Sequence, residues 1–524
     1  MIYRSPLPDV HVPEVPLPEY LFEHAAQWSD KAALIDGPSD RTITYAQLTT
    51  AVDAVAAGLA ARGFTKGDVF AIYSPNIPEY AVAFLGVARA GGISTTINPL
   101  YTTSDLRHQL SDAGARYLVT IPEFLEKARG SVEGTSVEEV FVFGEAEGAS
   151  PFATLMGTGA PPTLDTNPRD DLIALPYSSG TTGLPKGVML THHNLVSNLA
   201  QTIAVETLSR REVLIGILPF YHIYGLVVVM CGALRVGATL ITMPRFDLEQ
   251  FLSLVQHHGV TTGYLVPPIV LALAKHPVVD QYDLSTLTNV FSGAAPLAES
   301  VATTCATRNN VVVRQGYGLT ETSPVTNANP RHLEVKVTSV GPAVPNTEFR
   351  IVDVATGEDA PTGDLGEIWI RGPQVMKGYL GNPDATRTMI DNDGWLHSGD
   401  IGRADDDGYL YVVDRLKELI KYKGLQVAPA ELEAILQSHP AVADVAVIPS
   451  PDEEAGEVPK AFVVVKPDAS VAAEELMAYV AARVSPHKKI RRLEFIDAIP
   501  KVPSGKILRR QLVERERAAS GDAR

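Results

Sequence analysis

One glycine-rich segment, 177–187, gathers many hydrogen-bond donors around a single cation. Its sequence YSSGTTGLPKG carries four Ser or Thr hydroxyls ahead of one lysine, Lys186. A glycine-rich turn lets backbone N–H groups approach an anion, and a lysine supplies a point charge that suits phosphate. The segment therefore favours polyphosphate binding over the alternative, a solvated surface turn. The predicted phosphate-binding residues are Ser178, Ser179, Gly180, Thr181, Thr182, Gly183 and Lys186.

The spacing does not match the commonest nucleotide loops. A P-loop requires glycine, four residues and then Gly-Lys-Ser/Thr, whereas Lys186 follows Pro185 and precedes Gly187. Gly180 and Gly183 also lack the dinucleotide-binding spacing. Composition alone therefore leaves the type of phosphate loop open.

The elements around this loop follow a βα rhythm. A helical face at Leu48, Val52, Val55 and Leu59 precedes the strand-like run VFAIYS, and the alternation recurs over 195–313. Apolar DLIALPY precedes the loop, and VMLTHHNLVSN after it predicts a strand and then a helix. This pattern predicts an α/β protein whose mixed or parallel sheets are covered by helices. We expect 144–168, rich in small polar residues and acids, to be a surface loop.

The pattern of apolar and turn-forming residues changes beyond Gly341. Short strand-like runs such as GEIWIRG and GYLYVVD predict a small β-rich subdomain. A basic segment, LKELIKYKG, then leads into an α+β pattern with helices predicted at 429–438 and 472–484. We therefore predict a large N-terminal domain, 1–414, and a small C-terminal domain, 415–524.

Composition excludes several classes. The 524 residues are 45% hydrophobic with a net charge of −17, which is typical of globular proteins and disfavours a general nucleic-acid binder. Cys231 and Cys305 are too few and too isolated for a disulfide framework or a zinc cluster, and fit a reducing, cytoplasmic setting. The N-terminus lacks the features of a secretory signal. The apolar run 213–231 is long enough to span a membrane, but its Pro, His and Gly favour a strand, loop and core helix.

The full string YSSGTTGLPKG closely resembles the phosphate loop of the adenylate-forming superfamily: acyl-CoA synthetases, luciferases and peptide-synthetase adenylation domains. Four further segments resemble the family in the same order: SGAAPL (292–297), QGYGLTE (315–321), WLHSGDIG (395–402) and PSGKILRR (503–510). The resemblance covers nearly the whole chain. The sequence of these segments is most similar to that of 4-coumarate–CoA ligases and their bacterial relatives.

The resemblance implies a two-step reaction that uses ATP, Mg²⁺ and coenzyme A. A carboxylate attacks the α-phosphate of ATP to give acyl-AMP and pyrophosphate, and a thiol then displaces AMP. Lys506 matches the catalytic lysine, Glu321 the Mg²⁺ ligand, and Thr320 a contact to the α-phosphate; Ser178 or Thr181 would complete the metal site. No covalent enzyme nucleophile is required, since electrostatic stabilisation must carry the first step.

The family also implies the nucleotide site. Asp400 and Arg415 match the residues that hold the ribose hydroxyls, and a carboxylate can accept both hydrogen bonds of a cis-diol. The adenine would lie against 292–296 and 315–318, where Tyr317 offers a flat face; tight packing is the alternative role for the small residues. The implied nucleotide-binding residues are completed by Ala294, Gln315, Gly316, Gly318 and Gln426.

In the family the small C-terminal domain swings between the two half-reactions. The hinge matches Lys417, and Lys421 matches the lysine tied to thioester formation. The residues implied to contact coenzyme A are Arg245, Lys423 and Gly424. A basic cluster at 488–492 could also attract its phosphates, or could be a solvated surface. His222 matches the aromatic position near the acyl entrance, the alternative being a hydrogen-bonded core histidine.

The implied acyl pocket consists of Tyr224, Val227, Tyr264, Phe291, Gly293, Gly316, Pro324 and Val325. The absence of Asp or Glu from 219–231 argues against amino acids, whose ammonium needs a counter-charge. Plant hydroxycinnamate enzymes often have Asn where Val227 stands, which weakens the expected recognition of a phenolic hydroxyl. We therefore expect an aromatic, cinnamate-like or medium-chain acid.

Three alternatives stay open. The chain could be a fatty acyl-CoA synthetase, or a ligase that loads acyl-AMP onto a carrier-protein pantetheine. A non-catalytic scaffold is disfavoured because Lys186, Glu321, Asp400, Arg415 and Lys506 are all retained. The sequence gives no prediction of oligomeric state.

Overall fold

The computed structural model describes residues 1–178, 185–416, 418–423, 425–452, 455–467, 469–501, 505 and 507–519; of 425, 426 and 517–519 only the backbone is described. Two large sheets, a smaller antiparallel sheet and a C-terminal sheet make up the described fold. The helices pack between and around them, as the βα rhythm predicts. The α/β fold class is confirmed.

The first large sheet carries the predicted phosphate loop at one edge. Its central pairs are parallel, and the edge strands next to the loop are antiparallel. Gly378–Tyr379 pairs with this edge from a distant part of the chain. In spatial order its strands are Tyr177–Ser178, Lys186–Thr191, Leu172–Ala174, Ile93–Thr96, Val69–Tyr73, Ala115–Thr120, Glu139–Val142 and Ser150–Pro151.

The second large sheet is parallel except at its two edge strands. Its strands are short and almost fully buried, as expected when helices cover both faces. In spatial order they are Val325–Ala328, Val312–Gly318, Asn289–Ser292, Thr262–Leu265, Val213–Gly216, Thr239–Thr242, Ala32–Asp36 and Thr42–Thr44.

The third sheet is antiparallel and forms the predicted β-rich subdomain. Its strands alternate buried and exposed positions, for example at Gly366–Arg371, so one face lies on a core that contains Phe349 and Ile368. In spatial order its strands are Tyr3–Arg4, Glu348–Val352, Gly366–Arg371, Leu396–Ala404 and Leu410–Arg415.

The C-terminal part has its own sheet and its own apolar clusters. A long hairpin, Val442–Asp452 with Gly456–Val465, forms its centre and is joined by Ile420–Tyr422, Leu425–Val427 and Arg492–Phe495. This α+β unit agrees with the expected pattern, although its boundary at residue 415 stays a prediction.

Local signals fix several helix ends. Thr44 and Thr191 each cap a helix and close a capping box with the residue three positions on, Gln47 or Asn194. Gly259 adopts φ +63 and ends the helix before it. The α-helices are Leu17–Phe22, Tyr45–Ala61, Pro78–Arg89, Thr103–Ala113, Leu125–Val132, His192–Glu206, Gly232–Val236, Leu248–His258, Pro267–Lys275, Glu299–Asn309, Pro383–Met389, Pro429–Gln437, Ala473–Ala481 and Arg509–Ala519.

The apolar run 213–231 folds inside the large domain. It forms the strand Val213–Gly216, a loop, and a fully buried π-helix, Tyr224–Cys231. The expected strand, loop and core helix are therefore confirmed. Within the described residues, every helix is too short or too polar to cross a bilayer.

The prediction that 144–168 is a surface loop holds for most of the segment but missed two short elements. This segment adds the edge strand Ser150–Pro151 to the first sheet and a 3-10 turn, Phe152–Leu155. Phe152 and Leu155 are buried, and a Cβ built at Gly58 would lie 1.8 Å from the carbonyl oxygen of Leu155. The polar composition around them hid these two apolar anchors.

Candidate active site

The candidate site lies where the strands of the second sheet reach their carboxyl ends. Parallel strands bring their carboxyl ends to one edge, the usual place for ligands in α/β sheets. Thr262–Leu265 brings Tyr264 to this edge, Asn289–Ser292 brings Phe291, and Val312–Gly318 runs directly into Thr320 and Glu321. The sheet thereby brings residues that are far apart in the sequence to the same edge.

A carboxylate centre forms around Glu321, which is only 7% exposed. The hydroxyls of Ser178 and Tyr379 both donate to its Oε1, each at 2.8 Å. Burial, and then Glu321, raise the pKa of Tyr379, so this phenol stays a donor. No described residue donates a hydrogen bond to Oε2. One oxygen of Glu321 is thus fixed by two hydroxyls, and this oxygen donor set fits the preference of Mg²⁺.

Lys186 joins the same centre through the hairpin that encloses the phosphate loop. Lys186 lies opposite Ser178 in the antiparallel pair, so the two ends of the loop meet beside Glu321. The Nζ of Lys186 sits 5.1 Å from the centroid of the Tyr379 ring, a cation–π distance. Tyr379 was not among the predicted site residues. It lies in the strand Gly378–Tyr379, which pairs with this hairpin, and it stands opposite Val188, 191 positions earlier in the chain.

A second carboxylate centre forms around Asp400. Asp400 and Arg415 are direct partners in the antiparallel pair of Leu396–Ala404 and Leu410–Arg415. Arg415 Nε lies 3.3 Å from Asp400 Oδ1, and the Tyr317 hydroxyl donates to Oδ2 at 2.5 Å. Burial alone would lower the pKa of Arg415, but Asp400 and Glu418 outweigh it and raise that pKa. The predicted ribose-binding pair is therefore brought together, with Tyr317 attached to it.

The predicted adenine-binding segments lie next to each other. Gln315 accepts a hydrogen bond from Leu297 N–H at 3.1 Å and donates to Val337 O at 2.6 Å, so its side chain positions the 292–297 segment. Ala294 is exposed with φ +70, a conformation that favours a small residue. A Cβ on Gly318 would lie 2.1 Å from Pro324 O, so close packing explains that glycine.

Three of the predicted acyl residues, Tyr224, Tyr264 and Phe291, form one aromatic cluster, and a pocket shared by the whole predicted set stays a prediction. The rings of Tyr224 and Tyr264 are 6.2 Å apart, and those of Tyr264 and Phe291 are 5.8 Å apart. A Cβ on Gly293 would lie 2.8 Å from Tyr224, and one on Gly316 would lie 2.4 Å from Phe291. The two glycines thus let these rings approach. Val227, Pro324 and Val325 are buried, and Val325 also borders the small cavity beside Tyr264 and Phe291.

A buried ion pair lies behind these rings, and sequence reasoning missed it. Arg314 makes a two-point contact with Glu206, Nη1 to Oε1 at 2.6 Å and Nη2 to Oε2 at 2.8 Å, with both side chains at most 4% exposed. The Tyr264 hydroxyl donates to Glu206 Oε2 at 3.4 Å. Burial raises the pKa of Tyr264 well above its ordinary value, so it stays a neutral donor. The two charged residues are 108 positions apart, which hides the pair in the sequence.

A small cavity of about 10 Å³, room for one water, connects the ion pair to the pocket. Glu206 and Thr202 give it polar groups, and Tyr264, Phe291 and Val325 belong to the predicted acyl set. The rest of its wall is apolar: Val205, Val228 and Ala328. The cavity is therefore mainly apolar, with Glu206 as the one charged residue in its lining.

The C-terminal unit reaches the large domain close to this pocket. Gly505, φ +82, lies so near Pro268 that an added Cβ would be 2.9 Å from Pro268 Cδ. Pro268 belongs to the helix Pro267–Lys275, which follows the strand that carries Tyr264. The residue that precedes Lys506 thus touches the acyl side of the large domain.

Several predicted residues lie outside the described residues, so their placement stays a prediction. These are Ser179, Gly180, Thr181, Thr182, Gly183, Lys417, Gly424 and Lys506, together with the side chain of Gln426.

The described residues predicted to serve the thioester-forming step are at the surface. Arg245 and Lys421 are exposed, and so is Lys423, whose backbone has φ +48 and bonds to Ala455 O. His222 is exposed at the start of the π-helix segment, which does not fit the alternative of a core histidine. The contact of Arg245 and Lys423 with coenzyme A, the role of Lys421 in thioester formation and the place of His222 near the acyl entrance all stay predictions.

Two cations of the basic cluster at 488–492 are held in ion pairs. Lys488 lies 2.7 Å from Glu431, and Arg492 lies 3.4 Å from Asp452. These pairs reduce the positive charge that the cluster could offer to phosphates, and favour its reading as part of the domain's surface.

Family models match most of the chain. Residues 21–380 match the model "AMP-binding enzyme", and 431–506 match "AMP-binding enzyme C-terminal domain". A 4-coumarate–CoA ligase 1 of Petroselinum crispum is 46% identical, covering 100% of this chain and 98% of that protein. A 4-coumarate–CoA ligase 5 of Oryza sativa subsp. japonica is 45% identical, covering 99% and 98%.

Solved structures share the architecture. ATP-bound MatB from Rhodopseudomonas palustris superposes with a TM-score of 0.88 at 29% identity, covering 96% of this chain and 99% of that one. The anthranilate CoA ligase AuaEII in complex with anthranoyl-AMP gives a TM-score of 0.89 at 26% identity, covering 98% and 99%.

Proposed function

Because the chain belongs to the AMP-binding enzyme family, we propose that it is an ATP-dependent ligase that joins a 4-hydroxycinnamate-like aromatic acid to coenzyme A. The overall reaction converts acid, ATP and coenzyme A into acyl-CoA, AMP and pyrophosphate. The observation that carries the proposal is the convergence of the Glu321 centre, the Asp400–Arg415 centre and an aromatic cluster at one sheet edge.

In the first step a carboxylate oxygen of the acid attacks the α-phosphorus of ATP, and the bond to the bridging oxygen of pyrophosphate breaks. Both reactants are anions, so the site must supply positive charge. Lys186 would hold the outer phosphates, and Lys506 would bridge the acid and the α-phosphate. Glu321 would hold Mg²⁺, which neutralises phosphate charge when bound. No proton has to leave the acid, which is ionised at neutral pH.

Asp400 and Arg415 support binding of the adenosine ribose. Asp400 is 5% exposed and takes bonds from both Tyr317 and Arg415, which fixes the direction in which its carboxylate points. A fixed acceptor binds a cis-diol with less entropic loss than a mobile one. The nucleotide is thereby oriented for in-line attack, which is where much of the rate acceleration of such transfers arises.

In the second step the thiol sulfur attacks the acyl carbon of acyl-AMP, and AMP leaves. We propose that the C-terminal unit rotates about Lys417 between the steps, so that Lys421 replaces Lys506 near the acyl group. The exposed Arg245 and Lys423 would meet the phosphates of coenzyme A. The separate apolar clusters of the C-terminal unit support rotation as a body.

Glu206 borders the same small cavity as Tyr264 and Phe291, and this supports an aromatic acid with a hydroxyl on its ring. A phenolic hydroxyl beside Tyr264 could donate to Glu206, the acceptor that Val227 does not supply. Arg314 neutralises Glu206, so the pair offers little to a substrate ammonium, in keeping with the argument against amino acids. A long alkyl chain would have to end against two buried charges, which disfavours fatty acids.

Replacing the pair with apolar residues, Glu206→Leu with Arg314→Met, should change substrate preference. We expect kcat/KM for 4-hydroxycinnamate to fall about tenfold relative to cinnamate, since a lost hydrogen bond to a charged group costs roughly 1.5 kcal/mol. Both residues are changed together because one unpaired buried charge would destabilise the fold. Acyl-CoA formation with both acids gives the ratio.

The matched control is Glu212→Leu with Arg331→Met, which removes another ion pair, 3.0 Å long, that does not border the cavity. It should leave the ratio of the two acids unchanged. An unchanged ratio in the Glu206 and Arg314 double variant would show that this pair does not recognise the ring substituent.

The proposed activity is tested by incubating the protein with ATP, Mg²⁺ and coenzyme A across benzoates, cinnamates and fatty acids of rising length. We expect acyl-CoA to form fastest with hydroxylated cinnamates. Acyl-AMP without any thioester would support the carrier-protein alternative. Absence of acid-dependent ATP–pyrophosphate exchange across the panel would refute the proposal.

A further inference from the structure

Two histidines and one aspartate come together on the large domain, outside the candidate active site. His257 and His258 are the last residues of the helix Leu248–His258, and Asp40 lies in the turn between the strands Ala32–Asp36 and Thr42–Thr44. One ligand atom from each lies within 4.8 Å of the others. Among the described residues, this is the only group of three or more such side chains.

The spacing of these atoms is that of ligands around a small cation. His258 Nε2 lies 3.1 Å from Asp40 Oδ1, and His257 Nε2 lies 3.7 Å from Oδ2. Zinc binds nitrogen and oxygen at about 2.0–2.1 Å in tetrahedral geometry, which places neighbouring ligand atoms about 3.4 Å apart. The two observed distances fall on either side of this value. The two distances run to different oxygens of Asp40, so its carboxylate faces both rings.

His258 gives an independent indication. Its Nε2 is buried and lacks a hydrogen bond of good geometry, although Asp40 Oδ1 lies 3.1 Å away. A buried ring nitrogen without a partner is unfavourable unless something else satisfies it.

The position within the fold also favours a cation. The carbonyl end of a helix carries partial negative charge, and both histidines stand at such an end. The nearby Arg41 is directed to Glu79, with which it forms an ion pair. Asp40 is held in place by its own N–H, which bonds to Asp36 O at 2.8 Å.

We propose that Asp40, His257 and His258 form a binding site for a divalent transition metal, best suited to Zn²⁺. Two imidazoles and one carboxylate select such ions over Mg²⁺, which prefers oxygen ligands. Bound metal would link the turn at Asp40 to the end of the helix Leu248–His258. With three protein ligands, water would take the fourth position.

The site is tested on the full chain without a histidine tag, by titrating Zn²⁺ in competition with a chromophoric chelator. We expect one equivalent to bind, and Asp40→Asn, His257→Ala and His258→Ala each to weaken binding roughly tenfold or more. Co²⁺ in place of Zn²⁺ should show the visible absorption of a low-coordinate site in the unchanged protein and lose it in the variants.

His24→Ala is the matched control, since His24 also faces a carboxylate, Glu23 at 3.6 Å, but belongs to no three-residue cluster in the part of the chain that is described. It should bind Zn²⁺ as the unchanged protein does. Asp40 is 61% exposed, so Asp40→Asn keeps the test valid even if His258→Ala misfolds. Equal Zn²⁺ binding by the unchanged protein and by the triple variant Asp40→Asn, His257→Ala, His258→Ala would overturn the proposal.

Discussion

Lys506→Ala should lower acid-dependent ATP–pyrophosphate exchange by roughly 10²–10³-fold, the loss typical of one group that stabilises transition-state charge. Thioester formation from supplied acyl-AMP should fall far less, because that step no longer joins two anions. The contact of Gly505 with Pro268 supports this role, since it brings the preceding residue to the acyl side of the large domain. Exchange of labelled pyrophosphate and coenzyme A consumption measure the two steps separately.

Lys501→Ala provides the control for this substitution. Lys501 lies in the same unit but is paired with Asp444 at 2.7 Å, so its loss should affect neither step by more than a few-fold. If Lys506→Ala slowed both half-reactions equally, Lys506 would not be specific to adenylation. The proposed division of work between Lys506 and Lys421 would then be wrong.

Glu321→Gln is expected to reduce adenylation by a similar factor, about 10²–10³-fold, and to raise the Mg²⁺ concentration needed for half-maximal rate. The amide keeps the shape and can still accept bonds from Ser178 and Tyr379, but it lacks the charge that holds a hard cation. ATP–pyrophosphate exchange measured over a range of Mg²⁺ concentrations gives both quantities.

Tyr379→Phe tests the hydrogen bond that orients Glu321 while leaving the charge of Glu321 unchanged. It removes one hydrogen bond to the carboxylate and keeps the ring that Lys186 faces, so we expect a loss of about tenfold or less. An unchanged Mg²⁺ requirement in Glu321→Gln would show that the metal is held elsewhere.

The sequence predicted the parts of the fold that depend on local pattern. The runs at Val69–Tyr73 and Gly366–Arg371 are strands, and the helix after the phosphate loop begins at His192, because their apolar periods and caps are local signals. The segment 144–168 was misjudged because only two residues, Phe152 and Leu155, anchor it. Two buried side chains are too few to produce a hydrophobic period that can be recognised in the sequence.

The sequence motifs predicted individual residues of the site, but they did not predict the hydrogen-bond and ion-pair partners of those residues. Asp400, Arg415 and Tyr317 were found from motifs, and the structure adds that one carboxylate joins them. Tyr379 and the Glu206–Arg314 pair were missed because each contact links distant segments through sheet pairing and helix packing. Such contacts depend on tertiary register, which a single sequence does not reveal.

Asp414 has a consequence for the speed of the catalytic cycle. Its buried carboxylate accepts the N–H of Ala430 at 2.8 Å, so it caps the first turn of the helix Pro429–Gln437 across the predicted domain boundary. Any rotation about residue 417 that parts these two groups must break this bond. A bond of this kind contributes about 1.5–3 kcal/mol, which changes a two-state population roughly 10–150-fold.

The hydrogen bond between Asp414 and Ala430 would therefore slow rotation of the C-terminal unit, although neither residue is predicted to touch a substrate. Burial raises the pKa of Asp414. Protonation should therefore weaken its hydrogen bond with Ala430 at a less acidic pH than an exposed aspartate would require. A stronger hydrogen bond between Asp414 and Ala430 would favour the arrangement that contains it and slow the rotation. A weaker hydrogen bond would have the opposite effect. Selection for turnover can thus act on a single capping carboxylate without altering any residue that touches the substrates.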